Sequence, residues 1–226
     1  MQIIFAPAVA VLNRLRYPAK FALIGAVVAT VLLAFLTTIV GHLNRDIDTA
    51  RHELAGLEML KPMNRLVQFM QQHRGLSVGV LNGNEAMKDK RAAKEKEVVD
   101  TFAGTEAVLT PALKEKAEWK AIRDDWEAIR GQGLTWAAGE SIKRHTAMID
   151  KVLLFMVTVA DQTELTLDPI MDSYYMMDTV VVKMPAMLEP LGITRARGTG
   201  VLTKKEIAPQ MKVDMAATLG QMGQTL

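Results

Sequence analysis

The sequence predicts an all-α protein in which a transmembrane helix is followed by an elongated, antiparallel helical bundle. Residues 21–40 form a run of 20 residues without a charge. A helix of that length spans the hydrocarbon layer of a bilayer, about 30 Å at about 1.5 Å per residue. Further along, apolar side chains recur at three- and four-residue spacing, the period of amphipathic helices, and no alternating strand pattern occurs. Half of the residues are hydrophobic and cysteine is absent, which excludes a disordered chain and a disulfide scaffold.

The apolar segment is predicted to be an uncleaved membrane anchor. It is longer than the apolar core of a signal peptide, about 7–15 residues, and no clear small-residue cleavage site follows it. A buried core helix is the alternative, because Thr30, Thr37 and Thr38 are mildly polar. An apolar surface on every side of the helix favours the membrane anchor.

Charge predicts the orientation of the anchor. Arg14, Arg16 and Lys20 precede or border it without any acidic residue, so the N-terminus is expected to stay inside the cell. The predicted regions are a cytoplasmic N-terminus at residues 1–20, a helix in the bacterial inner membrane at 21–40 and a periplasmic helical domain at 41–226. The periplasmic part then has 24 basic and 25 acidic residues, and without a basic face it gives no electrostatic basis for binding nucleic acid.

Apolar stripes and turn residues predict the first periplasmic helices. Residues 41–60 are expected to extend the anchor, Pro62 to interrupt the helix, and residues 63–81 to form a second stretch that stops at Asn82-Gly83-Asn84. The charge-rich residues 85–109 are interpreted as a helix with a solvated face and no chemistry. The stripe of the first helix consists of Leu43, Ile47, Ala50, Leu54 and Leu57.

Capping residues predict the next helices. Thr110 and Pro111 are a favourable helix start, and Gly131 and Gly133 a favourable end. The two stripes expected to face a core are Trp119, Ile122, Trp126 and Ile129, and then Ile142, Ile149, Leu153, Met156 and Ala160.

Three features predict the C-terminal part. Asp168-Pro169 is expected to start a helix, and Pro185 to kink or break it. After Gly192, Gly198 and Gly200 the helical pattern is expected to resume near Thr203, which forms a capping box with Glu206. The apolar, helix-compatible end of the chain suggests a fragment cut before a last helix and a second transmembrane span.

Motifs for catalysis are scarce. The four histidines, His42, His52, His73 and His145, have no spacing typical of a zinc site, and no cysteine accompanies them. No dinucleotide fingerprint, P-loop or nucleophile elbow occurs. We therefore expect neither an enzyme nor a metal or other cofactor.

The segment FMQQHRGLSVGVLNG at residues 69–83 is the first candidate site. Gly75, Gly79 and Gly83 recur every four residues, which predicts either close contact with another helix or a small cavity beside Arg74. The planar fork of Arg74 suits a carboxylate or a nitrate-like anion, so this residue is expected to be exposed, salt-bridged or bound to a ligand.

The second candidate segment is LDPIMDSYYMMD at residues 167–178. Asp168 and Asp172 suit a helix N-terminus. Tyr174 and Tyr175 are two of only three tyrosines and point about 100° apart on a helix, so one can face the core and the other a neighbouring surface. Further along, Arg195 and Arg197 form a basic cluster that could converge on Arg74 if the helices fold back.

These segments resemble the sensor regions of methyl-accepting chemotaxis proteins. FMQQHRGLSVGVLNG is similar to a helix of the nitrate- and nitrite-sensing domain family, in which His73 stands where that family usually has Glu, and LDPIMDSYYMMD is similar to a segment of related receptors. The resemblance implies a periplasmic ligand-sensing domain that works as a dimer, with Arg74 contacting the anion. The candidate ligand-binding residues are His73, Arg74, Ser77, Tyr174, Tyr175, Arg195 and Arg197.

Three hypotheses follow. The first is the sensor of a chemotaxis receptor, a homodimer coupled to a cytoplasmic signalling module. The second attaches the same sensor to a histidine kinase or a diguanylate cyclase. The third is a membrane-anchored structural domain without a ligand, in which Arg74 is exposed or tied to an acid such as Asp178 and no pocket lies nearby.

Overall fold

The computed structural model describes Ala10 and residues 13–167 and 171–225. The described elements are all helical, which confirms the predicted all-α class. They are, in chain order, α1 (Tyr17–Leu81), a 3₁₀ turn (Glu85–Met87), α2 (Lys88–Val108), α3 (Pro111–Lys114), α4 (Ala117–Gln132), α5 (Ala138–Gln162), a 3₁₀ turn (Leu165–Leu167), α6 (Met171–Met177), a π-helix (Asp178–Lys183), α7 (Met184–Lys204) and α8 (Pro209–Thr225). The chain divides into two compact units, Met1–Ala50 and Arg51–Leu226.

The first unit contains a helical segment that is long and apolar enough to cross a membrane. None of the residues in its most apolar stretch is buried, whereas a core helix would be covered. The hydroxyl groups of Thr30 and Thr38 donate to the backbone carbonyl oxygens of Ala26 and Ala34, at 2.8 and 2.9 Å. Because these bonds lie within the helix, the threonines need no polar partner outside it.

Helix α1 continues through Pro62, so the predicted interruption is wrong. A proline inside a helix removes a backbone donor and costs about 3 kcal/mol. The neighbouring residues Leu60, Met63 and Leu66 are buried, and burying each such side chain contributes about 1.5–3 kcal/mol. The continuous helix keeps all three in the core, which outweighs the cost of the proline.

The core of the second unit joins α1, α2, α4 and α5. Trp119 of α4 stacks on Phe155 of α5, with ring centroids 5.4 Å apart, and lies 5.7 Å from the ring of Phe102 of α2. Such aromatic pairs contribute about 0.5–1.5 kcal/mol beyond their buried area. Both predicted stripes are confirmed, with Trp119, Ile122, Trp126, Ile129, Ile142, Ile149, Met156 and Ala160 buried and Leu153 partly buried.

The predicted helix start at Thr110 and Pro111 is confirmed. The hydroxyl oxygen of Thr110 accepts a hydrogen bond from the backbone N–H of Leu113 at 3.3 Å. The helix nevertheless ends at Lys114, and α4 begins afresh at Ala117. Leu113 and Trp119 are both buried, yet six residues of continuous helix would place them about 120° apart around the helix axis. The break lets both reach the same core.

Helix α7 corrects the prediction for the glycines near the C-terminus. It runs without interruption through Gly192, Gly198 and Gly200. A Cβ atom at Gly192 would lie 2.8 Å from Arg74 Nη2, and one at Gly200 would lie 2.9 Å from Asn82 Nδ2. These two glycines therefore permit a close approach to α1 and do not end the helix.

The capping box of Thr203 and Glu206 is also wrong. Helix α7 ends at Lys204, Lys205 adopts the left-handed conformation at φ 57°, and α8 begins at Pro209. A residue in the left-handed conformation is a common helix end, so Lys205 stops α7 where the sequence predicted a start.

Pro185 does not break the helical path, which runs without a gap from Met171 to Lys204. It follows the π-helix Asp178–Lys183 directly, as the second residue of α7. The helix start predicted at Asp168-Pro169 lies outside the described residues.

The glycines of α1 do not form one packing stripe. A Cβ atom at Gly79 would lie 2.1 Å from Met87 Sδ, whereas at Gly75 no described atom lies within 4 Å. Gly83 lies beyond α1 in the predicted turn, with φ +95°, a conformation that favours glycine. The turn prediction is thus confirmed and the stripe is not.

Candidate functional site

A cluster of buried polar side chains lies inside the second unit, next to its apolar core. Helix α1 contributes His73, Arg74 and Ser77, each 0% exposed. They follow the buried Met70 at three- and four-residue spacing, so the core-facing side of α1 carries them inward. We call them and the side chains that contact them on other helices the polar layer, which consists of His73, Arg74, Ser77, Arg91, Glu95, His145, Thr146 and Glu189.

Arg74 and Glu189 form a buried ion pair between α1 and α7. Arg74 Nη1 donates to Glu189 Oε1 and, at 2.8 Å, to the hydroxyl of Thr146, and Arg74 Nη2 donates to Glu189 Oε2 at 3.3 Å. Gln71 Nε2 donates to the same Oε2 at 2.7 Å. Both carboxylate oxygens are therefore held by donors. An arginine fork with an added amide is the arrangement that recognises a planar oxyanion.

His73 and His145 form a second buried pair, with His73 Nδ1 3.0 Å from His145 Nε2. His145 Nδ1 lies 2.7 Å from the carbonyl oxygen of Ser141, which can only accept. We therefore assign the proton of His145 to Nδ1, so that its Nε2 accepts from His73 Nδ1. The second ring nitrogen of His73, Nε2, lies 3.7 Å from Glu95 Oε2.

Burial keeps both histidines uncharged at neutral pH. It lowers the pKa of His145 to about 3, and the nearby His73 and Arg74 lower that pKa further. Burial also lowers the pKa of His73, against the opposing effect of the Glu95 carboxylate. The pair contributes hydrogen bonds to the polar layer and no charge.

Arg91 and Glu95 of α2 complete the polar layer. Arg91 is 7% exposed, its Nε donates to the hydroxyl of Ser77 at 3.0 Å, and its Nη1 donates to Glu95 Oε2 at 2.9 Å. Contacts with His73 and Arg91 lower the pKa of Glu95, so the carboxylate is ionised. The prediction that the charge-rich run in residues 85–109 is a solvated helix face is therefore wrong at Arg91, which is buried.

Several buried N–H donors at the polar layer have no acceptor among the residues that the structure describes. They are Arg74 Nε, Arg91 Nη2 and the indole Nε1 of Trp126, whose ring lies 5.2 Å from that of His73. A buried donor without an acceptor costs about 1–3 kcal/mol. The layer thus has hydrogen-bonding capacity for a small acceptor such as an anion or a water molecule.

A groove with a volume of about 550 Å³ lies between α1 and α7. Its polar lining includes Gln68, Gln71, Gln72 and Arg195, and its apolar lining includes Leu188 and Leu191. Gln71 also donates to Glu189, which places the buried ion pair directly behind the groove wall. The volume is in the range of small-molecule sites, about 300–1,000 Å³.

The structure brings together only part of the predicted site. His73, Arg74 and Ser77 meet in the polar layer, and Arg195 lines the adjacent groove. Arg197 faces α8 instead, where its Nη1 donates to the carbonyl oxygen of Asp214 at 3.1 Å and to the hydroxyl of Thr218 at 2.9 Å. Arg197 is therefore not brought to Arg74.

Tyr174 and Tyr175 lie on the surface of α6. They are 37% and 56% exposed, and their rings contact each other edge to face with centroids 5.6 Å apart. The expectation that one of them faces the core is not met.

Sequence reasoning missed the polar-layer residues outside α1, although a signal for them exists. Each of them except Thr146 occupies a core-facing position in the apolar stripe of its own helix, as the spacing and burial of the neighbouring residues show. The stripes are Arg91, Glu95, Val98, Phe102 and Thr105 in α2, Ile142, His145, Ile149 and Val152 in α5, and Val181, Pro185, Glu189, Gly192 and Ala196 in the π-helix and α7.

Comparisons of the chain with protein-family models, with curated proteins and with solved structures gave no match. Within residues 13–167 and 171–225, no three histidine, aspartate or glutamate side chains are grouped so that they could hold a metal ion.

Proposed function

We propose that the chain is the ligand-sensing region of a bacterial transmembrane chemotaxis receptor. In this proposal the apolar part of α1 anchors it in the inner membrane, and residues 41–226 form an antiparallel helical bundle in the periplasm. The bundle binds a small anion such as nitrate or nitrite, without a cofactor. It works as a homodimer and transmits ligand occupancy to a cytoplasmic signalling module.

The arrangement around Arg74 carries the proposal. Its guanidinium is completely buried and holds a planar carboxylate at both oxygens, with Gln71 and Thr146 adding polar contacts. A nitrate, nitrite or carboxylate ion presents the same planar pair of oxygens to an arginine fork. The resemblance of the segment around Arg74 to nitrate- and nitrite-sensing domains points to the same residue.

The hypothesis of a purely structural domain shares part of this description. It predicts that Arg74 is tied to an acid, and Arg74 is tied to Glu189, whereas Asp178 pairs with Lys183 at 2.6 Å. That hypothesis also predicts no pocket nearby. The groove next to Glu189 and the unpaired N–H donors of Arg74, Arg91 and Trp126 favour a ligand-binding role.

Signalling requires two arrangements of the helices that differ in ligand affinity. A ligand that bound both equally would shift neither population. Arg74 and Glu189 lie on different helices, α1 and α7, so a change at their contact alters how these two helices are held together.

A thermal-unfolding titration of the full chain in detergent micelles tests the proposal. The added salts are sodium nitrate, nitrite, formate and acetate, with sodium chloride holding the ionic strength constant. An anion that binds only the folded protein raises the free energy of unfolding by about 2.7 kcal/mol at 100 times its dissociation constant. We expect at least one of the four anions to give such a rise.

Two double variants locate the response. Arg74→Met with Glu189→Met replaces the buried ion pair by apolar side chains, a change that proteins often tolerate, and should abolish the rise. Lys151→Met with Asp125→Met removes an exposed pair with a 2.7 Å contact and should leave it intact. A chain that responds to none of the anions, or a response that survives loss of Arg74, would contradict the proposal.

A further inference from the structure

Glu189 occupies the position that an anionic ligand of Arg74 would take. Its side chain is 6% exposed, and its two oxygens accept hydrogen bonds from Arg74 and Gln71. A fully buried guanidinium needs a negative partner at all times, because an unpaired buried charge is strongly destabilising. In the structure the chain itself supplies that partner.

We infer that Glu189 competes with external anions for the binding position beside Arg74, which we call the anion seat. A small planar anion displaces Glu189 from this position and loosens α7 from α1. This inference rests on the proposed function and names how the same site is regulated. The seat consists of Arg74 with the side chains of Gln71 and Thr146. The displaced carboxylate moves towards the groove that Gln71 lines.

The balance of buried charge favours an anion that replaces Glu189 over an anion that binds in addition to it. The polar layer contains two arginines, Arg74 and Arg91, and two glutamates, Glu95 and Glu189, while His73 and His145 are neutral. Asp150 adds a further carboxylate near the ion pair, because burial and the charge of Glu189 raise its pKa and Arg74 lowers it. An added anion would leave a net negative charge buried in this layer. Exchange of Glu189 for an external monoanion leaves the buried charge unchanged and returns the glutamate carboxylate to water.

The helix that carries Glu189 is weakened on both sides of the contact. The π-helix Asp178–Lys183 precedes α7, and π-helical turns are rare and occur mostly at functional sites. Pro190 follows Glu189 directly inside α7 and removes one backbone hydrogen bond from that turn. The contact with Arg74 therefore stabilises a part of α7 that has fewer regular backbone hydrogen bonds of its own.

The size of the seat limits the ligand. Gly192 faces Arg74 so closely that a Cβ atom there would lie 2.8 Å from Nη2. A small planar monoanion such as nitrate or formate fits the place of a carboxylate group, whereas tetrahedral sulfate carries more charge and more volume. Sulfate is therefore the discriminating control ion.

The experiment measures hydrogen exchange of the full chain in detergent micelles, with sodium nitrate or formate and with sodium sulfate at equal ionic strength. For the unmodified chain we expect the backbone amides of Met184–Lys204 to exchange faster with nitrate or formate than with sulfate. In Glu189→Gln, the same amides should exchange fast without any anion. That variant should also bind the planar anion about tenfold more tightly, if Glu189 closes the seat nine-tenths of the time.

The outcomes separate this inference from the proposed function. If the unmodified chain binds nitrate or formate but exchange of α7 does not change, or if Glu189→Gln gains no affinity, displacement is wrong and anion sensing stands. Binding by Glu189→Gln alone would show that no anion displaces Glu189 in the unmodified chain, which contradicts both the displacement and anion sensing by that chain. If neither protein binds any of these anions, both proposals fail. Should Glu189→Gln not fold, Glu189→Asp keeps the charge on a shorter side chain and should show an intermediate gain in affinity.

Discussion

At the scale of single residues, His73 and His145 make the second unit sensitive to acid. Their pKa values are lowered by burial, so the native state binds fewer protons than the unfolded chain below pH 6.5, the ordinary pKa of histidine. The contribution of the two uncharged histidines to the free energy of unfolding is therefore complete above pH 6.5 and decreases as the pH falls below it. For His145, with a pKa of about 3, we expect a loss of about 1.4 kcal/mol between pH 7.5 and 5.5.

Denaturant unfolding at several pH values checks this prediction, in a range where carboxylates contribute little. The variant His145→Gln should lose its share of the pH dependence. His52→Gln is the matched control, because its side chain is 63% exposed and pairs with Glu164 at 3.6 Å on the surface. Equal pH slopes for the unmodified chain and His145→Gln would show that His145 titrates alike in the folded and unfolded states.

Arg74 was predictable from the sequence, whereas its partner was not. An arginine next to a glycine in a helix with an apolar stripe has few possible states, and the sequence limited them to an exposed, paired or ligand-bound side chain. Glu189 lies 115 residues further along the chain. Only the packing of α7 against α1 brings the two together, and local spacing carries no information on that contact.

At the scale of helices, Gly192 and Gly75 should respond to the same substitution in opposite ways. A Cβ atom at Gly192 meets Arg74 Nη2 at 2.8 Å, so Gly192→Ala should destabilise the protein by about 1–3 kcal/mol through overpacking. At Gly75 no described atom lies within 4 Å, and alanine is the better helix former. Gly75→Ala should therefore stabilise the protein by about 0.5–1 kcal/mol.

Urea denaturation of the two variants beside the unmodified chain measures both effects. If Gly192→Ala were as stable as the unmodified chain, α7 could move away from Arg74 at no cost, which would contradict the close approach of the helices. A loss of stability in Gly75→Ala would indicate a packing partner at that position.

The sequence predicted the presence of helices more accurately than the residues at which they end. Periodic apolar residues define a helix locally, and the stripes of α4 and α5 are buried as predicted. The ends depend on tertiary packing, because burial around Pro62 keeps α1 continuous and the shared core of Leu113 and Trp119 requires a break. Proline and glycine in the sequence indicate only the local free-energy cost of a helical conformation. Whether the helix continues depends on how much apolar surface the continuous helix buries in the core.

At the scale of the whole molecule, the charge of the N-terminal region predicts which side of the membrane each part occupies. Arg14, Arg16 and Lys20 favour a cytoplasmic N-terminus. The chain lacks cysteine, so a single introduced cysteine reports one position. A membrane-impermeant maleimide should label Thr135→Cys in intact spheroplasts and Asn13→Cys only after lysis. The reverse pattern would place the larger unit in the cytoplasm and rule out a periplasmic sensor.

Association of two copies is the remaining prediction at this scale, and it rests on an apolar stripe of α1 that the structure leaves exposed. Leu43, Ile47, Leu54 and Leu57 are 54%, 48%, 63% and 41% exposed, and together with Ala50 they alternate four- and three-residue spacing. That is the heptad pattern by which two helices pack along a common seam. Gly25 and Ala29 add a small-residue spacing that suits close contact within the membrane.

Disulfide cross-linking in native membranes tests this seam with single cysteines placed along residues 43–57. We expect strong cross-linking between copies at Leu43, Ile47, Leu54 and Leu57, because these positions repeat on one side of the helix, and weak cross-linking at the exposed Arg45 and His52, which fall between them. The periodicity matters more than the yield, since random collisions in a membrane link all exposed positions alike. Uniform or absent cross-linking would leave the stripe without a partner helix and would remove the basis for a dimeric receptor.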